Sequence, residues 1–512
     1  MKIIKKIAAI MLSVMMVLGM CSVVGAEGTG TTGSITINKA APGETYKIYR
    51  ILDLESYSGS GETGNYAYKL RKDTASGSTK SWSDFIQSTE IKGTYVTLDG
   101  EYVTWKEGAS VKDFAKVALT YAKDSTTKIN PDTTQKVEGT DTSVTFSGLP
   151  LGYYLVETSV GTVLALNTTD TNVIIEEKNG VPSVEKKVQE DSKISTADEY
   201  GESNTADIGQ KVHFKTTITA QPGAQNYVLH DKMSDGLSFD EIDSVKVGNT
   251  PLDVNTDYKV IDSNNTGDEC AFHITFTPTY CESIKTETII TVTYSATLNK
   301  NATIAGDGNK NETWLTYGES SQTTHKTTTT KTYEIPVYKF TNIKDTSGNI
   351  TKKPLLNATF ILTKESETTA IKLVKVSNAD DSNPYDVYRV AMNSDTTGVI
   401  NNGEITTPST GKFKIQGLDA DTYDLTETKQ PDGYNLLKES IKIKINEDGA
   451  ITYATKSATN LDPMSSGNIE VENKTGSILP STGGMGTTLF YIFGAILVIG
   501  SGVVLITKKR MK

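Results

Sequence analysis

Two lysines sit where a β-chain should bury apolar side chains. In Val184-Glu185-Lys186-Lys187-Val188, side chains alternate between faces with a period of two. Lys186 therefore shares a face with Val184 and Val188, and Lys187 faces outward. In Ile335-Pro336-Val337-Tyr338-Lys339 the same parity groups Lys339 with Ile335 and Val337. An unpaired buried ammonium is costly, so the chain must pair it, neutralise it or use it chemically. Later strands supply carboxamides in Asn311-Glu312-Thr313-Trp314-Leu315 and Glu470-Val471-Glu472-Asn473, and acids at Asp231 and Glu427. Lysine, asparagine and acid together suit an internal amide bond. Burial lowers a lysine pKa and raises a carboxyl pKa, giving a neutral nucleophile and a proton donor for the asparagine carbonyl. The plainer readings are a buried ion pair, or lysines whose amines reach out to water. Asn309 shares the parity of Asn311 and is its substitute, and Glu282 is an alternative to Asp231. A weaker set in the first part of the chain is Lys39, Glu157 and Asn172, with Lys39 just before a Pro-Gly turn.

The elements that would position these residues are strands. The chain has 512 residues, a length of about three domains, rich in Thr, Ser, Val, Ile and Gly, with 24 Tyr against 3 Trp. Alternating segments run from Ser34-Ile35-Thr36-Ile37 to Ile469-Glu470-Val471, and the spacing predicts one short helix over Ser110–Tyr121. The expected architecture is all-β: three tandem immunoglobulin-like β-sandwich domains over 27–180, 181–331 and 332–477, with a Thr-rich connector at His325–Lys331.

The ends are for export and anchoring. Lys2, Lys5 and Lys6 precede an apolar run from Ile7 to Met20 and small residues at Val24-Gly25-Ala26, the pattern of a secretory signal peptide over 1–26. A lipoprotein signal using Cys21 is the lesser reading. At the other end come Leu479-Pro480-Ser481-Thr482-Gly483, an uncharged run from Gly486 to Ile506, and Lys508, Lys509, Arg510 and Lys512. The run is long enough to cross a bilayer as a helix, and the basic tail keeps its end in the cytoplasm. Seven of the 51 basic residues and none of the 62 acidic ones lie in these two ends, so the part between carries a net charge of −18. Nucleic acid is a poor partner for such a chain. Three Cys and four His make a multi-residue Cys/His metal site a poor expectation, and no cofactor is expected. Cys270 and Cys281 are a candidate disulfide pair outside the cell. No Ser/His/Asp order, HExxH or paired-carboxylate motif marks a surface enzyme.

The three-part tail resembles the LPXTG wall-sorting signal of Gram-positive surface proteins. That resemblance implies that a sortase cleaves between Thr482 and Gly483 and passes the Thr482 carbonyl to an amine. The third module resembles the B-type collagen-adhesin (CnaB) domain through Val337-Tyr338-Lys339, Leu356-x-Ala358-x-Phe360, Tyr423-x-Leu425-x-Glu427-x-x-x-Pro431-x-Gly433-Tyr434 and Val471-Glu472-Asn473. The second resembles the D2-type fimbrial isopeptide domain through Pro182-x-Val184-x-Lys186-x-Val188, the Asp231 strand, Gly236-Leu237, Asn309-x-Asn311 and Leu315-x-Tyr317. As a whole the chain resembles the backbone pilin of sortase-assembled Gram-positive pili. The resemblance implies isopeptide bonds Lys186–Asn311, assisted by Asp231, and Lys339–Asn473, assisted by Glu427. It implies a secreted, wall-linked shaft subunit whose partners are pilus-specific and housekeeping sortases, identical pilin subunits, minor pilins, peptidoglycan and host surface ligands. Such pilins carry a polymerising lysine near the end of the first module, often as Tyr-Pro-Lys-Asn. Here Glu176-Glu177-Lys178-Asn179 occupies that place without the Tyr-Pro. Lys178 is the expected joint to Thr482, and Lys187 the runner-up. A singly anchored adhesin is the alternative function.

Overall fold

The computed structural model describes residues 32–58, 65–124, 128–159, 163–167, 172–177, 180–223, 225–318, 321–365, 367–476 and 486–510. The expected signal peptide, Lys178 and Leu479–Gly483 with Thr482 lie outside the described residues. The described chain is mostly strand, in six sheets. It packs as two compact units. One runs to Glu334 and takes in 392–394 and 417–420, and the other starts at Ile335.

The strands before residue 177 form two sheets. Thr32–Asn38 is the middle of a three-stranded sheet, parallel to Asn172–Glu176 and antiparallel to Ser143–Pro150. The long strand Thr45–Ser58 lies in a seven-stranded sheet beside Gly152–Thr158. The expected helix is Val111–Lys123, capped by the Ser110 hydroxyl accepting from the Asp113 amide. Two further short helices, Trp82–Gln87 and Thr89–Thr94, lie among the strands. Ser81 and Asp84 form a reciprocal cap that starts the first, and Trp82, Phe85 and Ile86 pin it to the core.

Between Ser183 and Lys331 a six-stranded and a seven-stranded sheet carry the second set of elements. Ser183–Gln189 lies in the first, paired with Lys211–Ala220. Val228–Met233 and Asn309–Tyr317 are antiparallel neighbours in the second. The connector expected at His325–Lys331 is largely a strand, Lys326–Lys331, antiparallel to Asn309–Thr313 and parallel to Ser203–Thr205. Thr is a good strand former, and alternation turns Thr328 and Thr330 inward as fully buried residues. The Asn311 strand is therefore not the last of its module.

The strand Tyr333–Lys344, which lies in the second unit from Ile335 onward, pairs in parallel with Ile469–Glu472, with Lys339 opposite Val471. The facing sheet holds Thr422–Lys429 between Thr359–Lys364 and Ile441–Ile445. Gly486–Arg510 is a continuous helix that contains the expected membrane span and runs on into the basic tail. Its segment Phe490–Arg510 holds an 18-residue stretch of mean hydropathy 2.3, enough in length and composition to cross a membrane.

The candidate disulfide is not present. Cys270 and Cys281 are separate buried thiols. The extended strand Phe272–Phe276 runs between them and, at ~3.3 Å per residue, carries them well beyond the Cα separation a disulfide allows. The mature chain, unfolded without reductant, is expected to titrate two free thiols with a thiol reagent. A count of zero in a monomer would contradict this arrangement.

Candidate functional site

The predicted strand parity holds at both lysines. In Ser183–Gln189, Val184, Lys186 and Val188 are buried. Lys187 is half-exposed, 3.8 Å from Glu202. In Tyr333–Lys344, Ile335, Val337 and Lys339 have no exposed surface. Each amine points into the space between two sheets and meets a carboxylate from the opposite one.

Lys186 Nζ donates to Asp231 Oδ2 at 2.7 Å, and neither side chain is exposed. Asp231 and Asn311 lie on adjacent antiparallel strands, two positions apart in register. The Tyr294 hydroxyl completes the group: it bonds both Lys186 and Asp231, and accepts from Asn311 Nδ2 at 3.4 Å. The walls are aromatic, with Lys186 Nζ 5.3 Å from the Phe214 ring centroid and 4.9 Å from that of Tyr294. Burial pushes the Lys186 pKa down, against the pull of Asp231. Burial pushes the Asp231 pKa up, against Lys186. Both shifts favour a neutral amine beside a neutral acid. Asp231 Oδ1 and Asn311 Oδ1 are buried acceptors without a hydrogen-bond partner, a costly state. A proton on Asp231 converts one of them into a donor, as polarising the Asn311 carbonyl requires.

The alternatives from the sequence fall elsewhere. Asn309 is equally buried, but its carboxamide is satisfied: Oδ1 accepts from Thr303 N at 2.9 Å, and Nδ2 donates to Thr303 O and Thr330 O. Glu282 is paired with Lys116. Tyr294 was missed, although its strand Thr288–Leu298 alternates and turns Ile290, Val292, Tyr294, Ala296 and Leu298 inward. A tyrosine in that series is an inward hydroxyl that needs a partner.

The Lys339 set is tighter. Lys339 Nζ contacts Asn473 Oδ1 and lies 3.1 Å from Glu427 Oε1. Asn473 Nδ2 donates to Glu427 Oε1 and Oε2 at 3.0 and 3.1 Å, and to the Asn435 carbonyl at 2.9 Å. Glu427 Oε2 also accepts from Leu437 N at 2.8 Å, which fixes the carboxylate. Burial lowers the Lys339 pKa to about 8, against the pull of Glu427, which shifts the amine toward its neutral form. From the sequence the acid is expected on the asparagine carbonyl. Here it lies on the carboxamide nitrogen, the atom that would leave as ammonia. A half-turn of the carboxamide exchanges the two contacts.

The first-module set does not assemble. Lys39 is an exposed turn residue at φ 54°. Glu157 is buried but accepts from the Tyr49 hydroxyl at 3.0 Å and pairs with Lys123 at 2.5 Å and Lys47 at 3.7 Å. That is an ordinary ion-paired acid. A different grouping, not anticipated from the sequence, lies beside the Asp231 strand: His230, Asp268, Cys270 and His273 place their ligand atoms within 4.8 Å of one another. The spacing Asp268-x-Cys270-x-x-His273 was the available signal.

Two substitutions separate these roles. Asn311→Ala is expected to raise the intact mass of the mature chain by the ammonia, about 17 Da, that a Lys–Asn condensation expels, beyond the change of residue itself, whereas Asn309→Ala is not. Tyr294→Phe is expected to leave a fraction of chains unlinked in this domain. Equal behaviour of the two asparagine variants would remove Asn311 from the role.

Three family models match segments of the chain. Residues 208–321 match the model of Gram-positive pilin backbone subunit 2, Cna-B-like domain. Residues 339–459 match the SpaA prealbumin-like fold domain, and 472–512 the LPXTG cell wall anchor motif. A fimbrial subunit type 1 of Actinomyces viscosus is 35% identical over 100 residues, which span 20% of this chain and 17% of that protein. Among solved structures, the T6 backbone pilin of serotype M6 Streptococcus pyogenes aligns at 18% identity and TM-score 0.48, over 82% of this chain and 81% of that one. The major pilin SpaD of Corynebacterium diphtheriae aligns at 17% identity and TM-score 0.42, over 87% and 98%. The matched segments resemble a Cna-B-like domain of a Gram-positive pilin backbone subunit, a prealbumin-like fold domain and an LPXTG cell wall anchor motif.

Proposed function

We propose that this chain is the structural backbone subunit of a covalently polymerised, cell wall-anchored pilus, built as three tandem modules over 27–180, 181–331 and 332–477. The observation that carries the reading is the pair of buried Lys–acid–Asn sets lying upstream of a wall-anchor motif. In each set the neutral lysine amine attacks the asparagine Cγ, and the bond from Cγ to Nδ2 breaks. The neighbouring acid takes the amine proton and hands it to the leaving nitrogen, and ammonia departs. Lys186–Asn311 and Lys339–Asn473 become amides. Folding supplies the proximity, worth up to about 7–11 kcal/mol of barrier. The reaction occurs once per molecule, so the protein is a substrate and a scaffold and does not turn over.

Polymerisation then joins Thr482 of one subunit to Lys178 of the next through a pilus-specific sortase. A housekeeping sortase transfers the finished fibre to peptidoglycan, and minor pilins and host ligands complete the partner set. Tension between these joints enters eight residues before Lys186 and leaves nine residues after Asn473. Both cross-links therefore lie on the loaded segment of chain. The first module lies outside it, in keeping with the ordinary ion pairs around Glu157.

The test is Lys178→Ala expressed in the host with its sortases. The high-mass ladder on denaturing gels is expected to vanish while wall-linked monomer remains. A ladder of unchanged intensity would exclude Lys178 as the joint. A wild-type chain found only as wall-linked monomer would favour the singly anchored adhesin.

A further inference from the structure

Four side chains of metal-ligating type cluster beside the Asp231 strand, with one donor atom of each within 4.8 Å of the others. His230 comes from Val228–Met233 and His273 from Phe272–Phe276, antiparallel neighbours in which the two residues are directly opposite. Asp268 and Cys270 come from the segment leading into the second strand. Asp268 Oδ2 lies 3.0 Å from His273 Nε2 and 3.7 Å from His230 Nδ1, and Cys270 Sγ lies 3.9 Å from His230 Nδ1. A tetrahedral ion with ligand bonds of ~2.0–2.3 Å holds its donor atoms roughly 3.3–3.7 Å apart, so these spacings bracket what such an ion needs.

The surroundings hold the donors in place. His230 Nε2 is engaged with the Thr316 hydroxyl at 3.0 Å, which leaves Nδ1 directed to the cluster. Its ring is stacked on Trp314 at 4.9 Å with an interplanar angle of 3°. Asp268 Oδ1 accepts from the Cys270 amide at 2.9 Å, which keeps Oδ2 turned to the histidines. Cys270 and His273 are buried, His230 is largely so, and Asp268 closes the site on the solvent side.

We propose that His230 Nδ1, His273 Nε2, Cys270 Sγ and Asp268 Oδ2 bind one divalent ion of the zinc class. Two imidazoles and a thiolate select zinc-like ions over magnesium or calcium, which take oxygen ligands. Binding releases the Cys270 thiol proton to solvent, and the thiolate and carboxylate together balance the ion's two charges. The ion would tie the segment that carries Asp268 and Cys270 to the strand that carries Asp231. The proposal is independent of the isopeptide chemistry, since His230 and Asp231 point to opposite faces of their strand.

The test is a Co2+ titration of the untagged full chain in detergent, stripped with chelator. One equivalent is expected to bind with the intense visible bands of a tetrahedral site and a sulfur-to-cobalt charge-transfer band, both removed by Zn2+. Cys270→Ser should lose the charge-transfer band, and His273→Ala should weaken binding by more than about tenfold. His213→Ala, on the other sheet, should change neither. Circular dichroism of the metal-free variants controls for folding, and Zn2+ should raise the melting temperature of the wild type but not of Cys270→Ser. Absence of stoichiometric binding, or binding unchanged in both Cys270→Ser and His273→Ala, overturns the proposal.

Discussion

The arrangement rests on the cost of an ammonium group placed between two apolar sheets. Lys186 and Lys339 have no exposed side-chain surface. A charge there forfeits hydration that only a partner can replace. Each lysine meets one carboxyl and one carboxamide, and burial works against the charged form of the amine in both sets. An ion pair settles this cost only in part. An amide removes the charge altogether and leaves a neutral group of the kind that the sheets already accommodate. The same desolvation that makes the lysines expensive makes them nucleophilic.

The sheets do the positioning, and the two sets solve it differently. At Lys339 the lysine and the asparagine come from parallel neighbours, with Asn473 one residue beyond the final strand and its amide donating to the Phe340 carbonyl. The acid comes from across the sandwich. At Lys186 the carboxyl and the carboxamide share a sheet, the lysine comes from across, and Tyr294 adds a hydroxyl to the centre. A bond closing the 125 residues from Lys186 to Asn311, or the 134 from Lys339 to Asn473, would be worth about 4–5 kcal/mol by the chain-entropy account of a comparable cross-link. Its mechanical effect is larger, because strands joined by an amide do not separate under load.

Much of this was legible because strand parity is a strict rule. Val184, Lys186 and Val188 alternate, so the sequence alone placed the amine inside. The same rule made Asn309 and Asn311 equivalent, and only partners outside the strand, the Thr303 backbone for Asn309 and Tyr294 for Asn311, tell them apart. Lys326–Lys331 read as a connector because threonine suits both a linker and a strand, and burial of Thr328 and Thr330 depends on neighbours far along the chain. The helices at Trp82 and Thr89 are short, and local capping with tertiary packing decides them. A Cys/His site was a poor expectation from the sequence because His230 and His273, 43 positions apart, become opposite only through strand pairing.

The most direct test is tandem mass spectrometry of a protease digest of the mature chain. It is expected to yield two branched peptides, one joining the Lys186 and Asn311 segments and one joining those of Lys339 and Asn473, each lighter by one ammonia than its parts. Recovery of all four segments as separate linear peptides would contradict the account and leave two buried ion pairs in its place.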